Sequence, residues 1–89
     1  MRARCRVVVR GRVQGVFFRD SARRRAEAAG VAGWIANRPD GAVEAVFEGD
    51  DAAVDELVEF CSRGPSRAEV HSVEVTDEEP EGLSGFEVR

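Results

Sequence analysis

The chain has 89 residues, 43% of them hydrophobic and 34% charged, with a formal net charge of −4. That balance belongs to a folded chain with one core, and it excludes disorder, while the acidic total disfavours nonspecific nucleic-acid binding. No apolar run approaches the ~18 residues that span a bilayer, and the arginine-rich start is unlike a secretory leader, so a cytoplasmic, single-domain protein over residues 1–89 is expected.

Residues 3–10 alternate, with Ala3, Cys5, Val7 and Val9 on one parity and Arg4, Arg6, Val8 and Arg10 on the other. This pattern predicts a strand with one apolar face. Residues 11–19 (Gly11, Arg12, Val13, Gln14, Gly15, Val16, Phe17, Phe18, Arg19) read as a glycine-bearing loop with an apolar end. Residues 20–29 are rich in alanine and arginine and predict a helix, with Asp20 or Ser21 able to cap its start and Gly30 closing it in the left-handed conformation. A second strand covers 31–37, a turn 38–41 and a third strand 42–48, the last two strands forming a hairpin. Gly49, Asp50 and Asp51 open a second helix, whose Val54, Leu57, Val58 and Cys61 follow the i, i+3, i+4, i+7 rule before Gly64 and Pro65 stop it. A fourth strand covers about 69–76, and a short last strand ends at residues 86–88.

The order β-α-β-β-α-β plus a short C-terminal strand predicts an α+β, ferredoxin-like α/β sandwich. Right-handed crossovers put both helices on one face of an antiparallel sheet, with strands one and three central and the other face open to solvent. On that open face Arg6, Val8 and Arg10 would lie beside Glu44, Val46 and Glu48, opposite charges across neighbouring strands. Cys5, Cys61 and Trp34 read as core residues. His71, in phase with Val73 and Val75, reads as structural, and the scattered Cys5, Cys61 and His71 have no zinc-ligand spacing.

The charge is distributed unevenly. All thirteen basic residues are arginines, and nine of them fall in residues 1–25 beside a single acid, Asp20. The 11–19 loop lies in this positive stretch. Its successive backbone N–H groups can form an anion-binding nest, the following helix adds the positive end of its dipole, and Arg19 offers a planar guanidinium to two phosphate oxygens. On spacing alone, a plain connection between strand and helix is an equal reading.

Residues 11–19 closely resemble the first signature of the acylphosphatase family. Gly33, Trp34, Ile35, Ala36 and Asn37, followed by Asp40, Gly41, Val43 and Glu44, resemble the second, and the likeness runs through Gly64-Pro65 and Val70–Val75 to Phe86-Glu87-Val88. Phe17 occupies a position that is often small in the family, and Arg38 stands where a threonine is frequent. The resemblance implies hydrolysis of acyl phosphates to a carboxylate and inorganic phosphate, with no metal or cofactor. It further implies that Val13, Gln14, Gly15, Val16, Phe17, Phe18 and Arg19 cradle the phosphate, that Arg19 binds it and that Asn37 holds the attacking water. The expected partner is a small acyl phosphate, with no nucleic acid or membrane, acting on a monomer. Two competing readings are a ferredoxin-like module binding RNA on its open face, which would need exposed aromatics there, and an anion-binding domain without turnover.

Overall fold

A computed structural model describes residues 1–89. The elements are β1 (Arg2–Arg12), α1 (Phe18–Ala29), β2 (Ala32–Asn37), β3 (Val43–Asp50), α2 (Asp51–Arg63), β4 (Glu69–Glu78) and β5 (Phe86–Val88). One five-stranded sheet has the order β4-β1-β3-β2-β5, so β1 and β3 are the inner strands expected from the element order. Four strands pair antiparallel, and β5 adds to β2 in parallel.

The parity of each strand decides the layers. Cys5, Val7 and Val9 of β1, with Ala45 and Phe47 of β3, point toward the helices. They meet Ala22 and Ala26 of α1 and Val54, Leu57, Phe60 and Cys61 of α2 in one core of 17 buried residues. The small stripe of α1 lets that helix lie close to the sheet. Burial pushes the thiols of Cys5 and Cys61 up, to about 11 and about 12, so both remain neutral packing groups.

Helix α1 closes as its glycine predicts. Gly30 adopts φ 71°, its N–H donates to the Glu27 carbonyl at 3.3 Å, and the Val31 N–H donates to Ala26 at 2.8 Å, a Schellman pair. Its start differs from the expectation. The helix begins at Phe18, the preceding Phe17 is left-handed at φ 64°, and no side chain caps it. Asp20 sits inside the first turn and pairs with Arg23 at 2.8 Å and Arg24 at 3.1 Å, which leaves it no capping role.

The face away from the helices is less open than predicted. Trp34 lies there rather than in the core, because Ile35 is fully buried on the helix side and neighbouring strand residues must point opposite ways. The guanidinium groups of Arg6 and Arg89 stand 5.6 and 4.6 Å from its ring. Arg6 pairs with Glu44, as cross-strand charge complementarity suggested, and also with Glu78 of β4 at 2.8 Å. Arg10 does not join this set. Its neighbour Val9 is opposite Val43, the first residue of β3, so Arg10 lies beyond that strand and reaches Asp40 of the turn at 3.2 Å. His71 sits on the surface beside Glu69, because β4 is an edge strand.

At the other end of this face, Glu48 is fully buried. It accepts from the main-chain N–H groups of Glu81, Gly82 and Leu83 at 2.8, 2.8 and 2.9 Å, and from Arg2 and Arg4 at 3.0 and 3.4 Å. The polar stretch before β5 thus folds over the sheet and is tied down there. Burial alone would raise the Glu48 carboxyl. The Glu81 and Leu83 N–H groups and the two guanidinium groups outweigh it and hold the carboxyl down, at about 2.

Candidate functional site

The loop between β1 and α1 begins at an irregularity in the sheet. The pairing of β1 with β4 slips between Arg10 and Gly11, and Gly11 takes φ 133°. A Cβ at Gly11 would stand 2.2 Å from the Glu69 carbonyl oxygen, so only glycine permits this departure. Val13, Val16 and Phe18 then turn inward and are buried. Phe18 packs against Phe60 of α2, ring centroids 5.6 Å apart. These three apolar anchors fix the loop from below, while Gly15 and Phe17 remain at the surface.

The loop backbone has unspent donors. None of the main-chain N–H groups of residues 13–17 finds an acceptor in the chain, and the first helical bond runs from the Ser21 N–H to the Phe17 carbonyl. Gly15 and Phe17 both take positive φ, 74° and 64°. Left-handed residues alternating with right-handed ones can turn successive N–H groups toward a common point, as in an anion nest. The N-terminus of α1 opens directly beyond, with its own unpaired N–H groups.

Arg19 and Asn37 face the same cleft. A cavity of about 390 Å³ is lined by Val13, Gly15, Phe17, Phe18, Arg19, Asp20, Arg23, Asn37 and Val88. The strand order places β2 two positions from β1, and Asn37 is the last residue of β2. Its end therefore comes level with the start of the loop. Arg19 also donates from Nη1 to the main-chain oxygen of Arg89 at 3.0 Å, so the strand end after β5 borders the site.

Gln14 joins the two halves. Its Nε2 donates to the carbonyl oxygens of Arg38 at 2.8 Å and Ala42 at 2.9 Å. These two carbonyls flank the turn that follows Asn37, so one side chain fixes the loop relative to that asparagine. Asp40 steadies the turn from inside by accepting from the Ala42 N–H at 3.1 Å. That bond first, then Arg10, draws the Asp40 carboxyl below its usual range.

Of the residues singled out in the sequence, the cleft collects Val13, Gly15, Phe17, Phe18, Arg19 and Asn37. Val16 is buried beneath it, and Gln14 points to the turn. The sequence reading did not place Asp20, Arg23 or Val88 there. The Asp20–Arg23 pairing was legible from its i, i+3 spacing. Val88 had no local signal, because its position depends on the parallel pairing of β5 with β2.

Comparison with known proteins gives a consistent result. The acylphosphatase family model matches residues 5–88. The chain is 65% identical over 88 residues to an acylphosphatase of Rubrobacter xylanophilus, covering 97% of this chain and 79% of the relative. It is 58% identical over 86 residues to an acylphosphatase of Haloarcula marismortui, covering 97% and 94%. Among solved structures, an acylphosphatase from Coxiella burnetii superposes with a TM-score of 0.93 at 39% identity, covering 99% of this chain and 93% of that one.

Proposed function

The chain belongs to the acylphosphatase family and is an enzyme of that activity, and we propose that it cleaves the carboxyl–phosphate bond by water attack on a phosphoryl group held by the N–H groups of residues 13–19 and by Arg19. The observation that carries this reading is the run of unpaired N–H groups in a loop whose cleft also receives Arg19 and Asn37. In a chain with so much internal pairing, a row of free donors in a loop that borders a concave surface calls for an anion.

The chemistry suits a site with few groups. An acyl phosphate releases a carboxylate, whose conjugate acid has a pKa of about 4, so the leaving group needs no proton. Phosphoryl transfer through a loose transition state depends on positioning and on charge stabilisation at the equatorial oxygens. The nest and the Arg19 guanidinium supply that stabilisation, the latter by two parallel N–H donors. The Asn37 carboxamide oxygen accepts from the attacking water and aims it. As the water oxygen bonds to phosphorus, the bond to the carboxylate oxygen breaks. The water proton passes to a phosphoryl oxygen, leaving inorganic phosphate. Arg19 exchanges its contact with the Arg89 oxygen for the phosphate.

No step here requires a metal, and the enzyme acts as a monomer in the cytoplasm. The test is release of phosphate from acetyl phosphate with EDTA present. Undiminished turnover is expected. Loss of turnover in EDTA, restored by a divalent cation, would overturn the mechanism. The RNA-binding alternative loses its footing on the sheet face, where Trp34 is occupied by Arg6 and Arg89.

A further inference from the structure

Eight arginines pair with carboxylates, while Arg12, Arg19, Arg25, Arg63 and Arg67 do not. Arg19 faces the cleft already described. Arg25 faces a second concavity, a groove of about 480 Å³ between α1 and the turn after α2, whose wall includes Ser21, Arg24, Phe60, Pro65 and Ser66. Arg63 and Arg67 flank that turn in sequence. The groove has no carboxylate in its wall, whereas each of the other four cavities has one: Asp20, Glu56, Glu27 or Glu87. A wall with two guanidinium groups and no acid stands out in a chain of net charge −4.

The donors of this wall are unspent. The Arg25 guanidinium lies 4.6 Å from the Phe60 ring centroid, a contact that holds its plane and leaves its N–H edge to a ligand. Ser62 has the one serine hydroxyl that bonds within the chain, so those of Ser21 and Ser66 are free. The Ser66 main-chain N–H also finds no acceptor in the chain. Arg24 reaches Asp20 at 3.1 Å through one nitrogen and keeps further donors. The C-terminal end of α2 brings partial negative charge to this side, which Arg63 in its last turn offsets.

We propose that this groove is a second anion site, separate from the catalytic cleft, which takes a small phosphate monoester. The dianionic head lies against Arg25 and Arg24, with the Ser21 and Ser66 hydroxyls and the Ser66 N–H as further donors. A space of about 480 Å³ lies within the range of small-molecule sites, roughly 300–1,000 Å³, and exceeds what free phosphate would fill. The organic part of the ester lies along Ala28 and Pro65.

The test titrates phenyl phosphate and inorganic phosphate at low ionic strength and follows main-chain N–H signals by NMR, in the parent and in Arg19→Ala, which weakens the cleft. Saturating shifts at Ser66 and Arg67 are expected in both, with the same dissociation constant. Arg25→Gln should weaken that binding about tenfold or more, because it removes a charge-assisted contact. Arg12→Gln removes an equal, unpaired charge outside the groove and should leave it within about twofold; thermal melting verifies that each variant is folded. Shifts at Gly15 but none at Ser66 and Arg67 in the parent would overturn the second site, as would equal weakening by Arg12→Gln and Arg25→Gln, the mark of general charge attraction. Phenyl phosphate should bind more tightly than inorganic phosphate at this groove; the reverse order would overturn the monoester as its ligand. Shifts at Ser66 and Arg67 with none at Gly15 would count against the phosphate-loop reading and leave the groove standing.

Discussion

Glu48→Gln tests how the sheet supports the site from a distance. Glu48 Oε1 accepts from Arg4 and from the Glu81 N–H, and Oε2 accepts from Arg2 and from the N–H groups of Gly82 and Leu83. A glutamine keeps one acceptor oxygen and turns an NH₂ group toward the donors of the other. At the least, one buried guanidinium contact and one main-chain N–H lose their partner. Each costs about 1–3 kcal/mol, and breaking a buried ion pair from one side costs about 3–5 kcal/mol, so a loss near 3 kcal/mol is expected. For a domain of this length, 1 kcal/mol shifts Tm by about 4–8 °C, so thermal melting at pH 7 should fall by roughly 12–24 °C.

The pH dependence gives a second readout. The Glu48 carboxyl is held down at about 2 in the folded chain against 4.5 unperturbed. A depressed native value stabilises the fold above the unperturbed value, and that stabilisation is lost as pH falls from about 4.5 toward 2. The Tm difference between parent and variant should therefore narrow across that window. Because residues 81–83 lead into β5, and β5 brings Val88 and Arg89 to the cleft, kcat/KM should decline as well. A drop below about 4 °C at pH 7, with the same gap at pH 3, would refute the reasoning.

Arg19→Lys should lower kcat at least about 10²-fold in an acyl phosphate assay, because a single ammonium cannot make the paired contact of the guanidinium. Asn37→Ala should reduce kcat strongly while leaving competitive inhibition by inorganic phosphate within about twofold, since in the proposed mechanism the asparagine aims water and the loop holds phosphate. Gln14→Ala removes both hydrogen bonds from the loop to the 38–42 turn, at about 0.5–1.5 kcal/mol each. It should lower Tm and, by loosening Asn37 relative to the loop, lower kcat about tenfold or more; unchanged kinetics would show that the loop and turn are held by other contacts.

Local signals in the sequence were enough for the elements and for half of the site. The alternation of Cys5, Val7 and Val9 is the pleat of β1, and Gly30 ends α1 because it alone accepts φ 71° without a side-chain penalty. Trp34 shows a limit of the reading rather than of the sequence. Once Ile35 is assigned to the core, strand geometry already puts Trp34 on the other face. The start of α1 was less legible, because Phe17 in the left-handed region breaks the rule that polar residues open helices. That exception is made by the loop, whose apolar anchors Val16 and Phe18 hold it on both sides.

By itself, the sequence determined the order of elements, the two faces of β1 and the 11–19 loop with Arg19 as a candidate anion site, because propensity, alternation and turn chemistry act over a few neighbours; Asn37 stood out only through the resemblance to the acylphosphatase family. Tertiary structure alone decided that Arg19 and Asn37 share a cleft, that Gln14 spans from loop to turn, and that Glu48 anchors residues 81–83 over the sheet. It also resolved the charge asymmetry: Arg2, Arg4, Arg6 and Arg10 are matched by Glu48, Glu78, Glu44 and Asp40, while Arg19 faces the cleft with no Asp or Glu partner and donates to the Arg89 main-chain oxygen. These outcomes depend on pairings 18 or more residues apart. No local pattern encodes them, since strand order and register set which distant side chains meet.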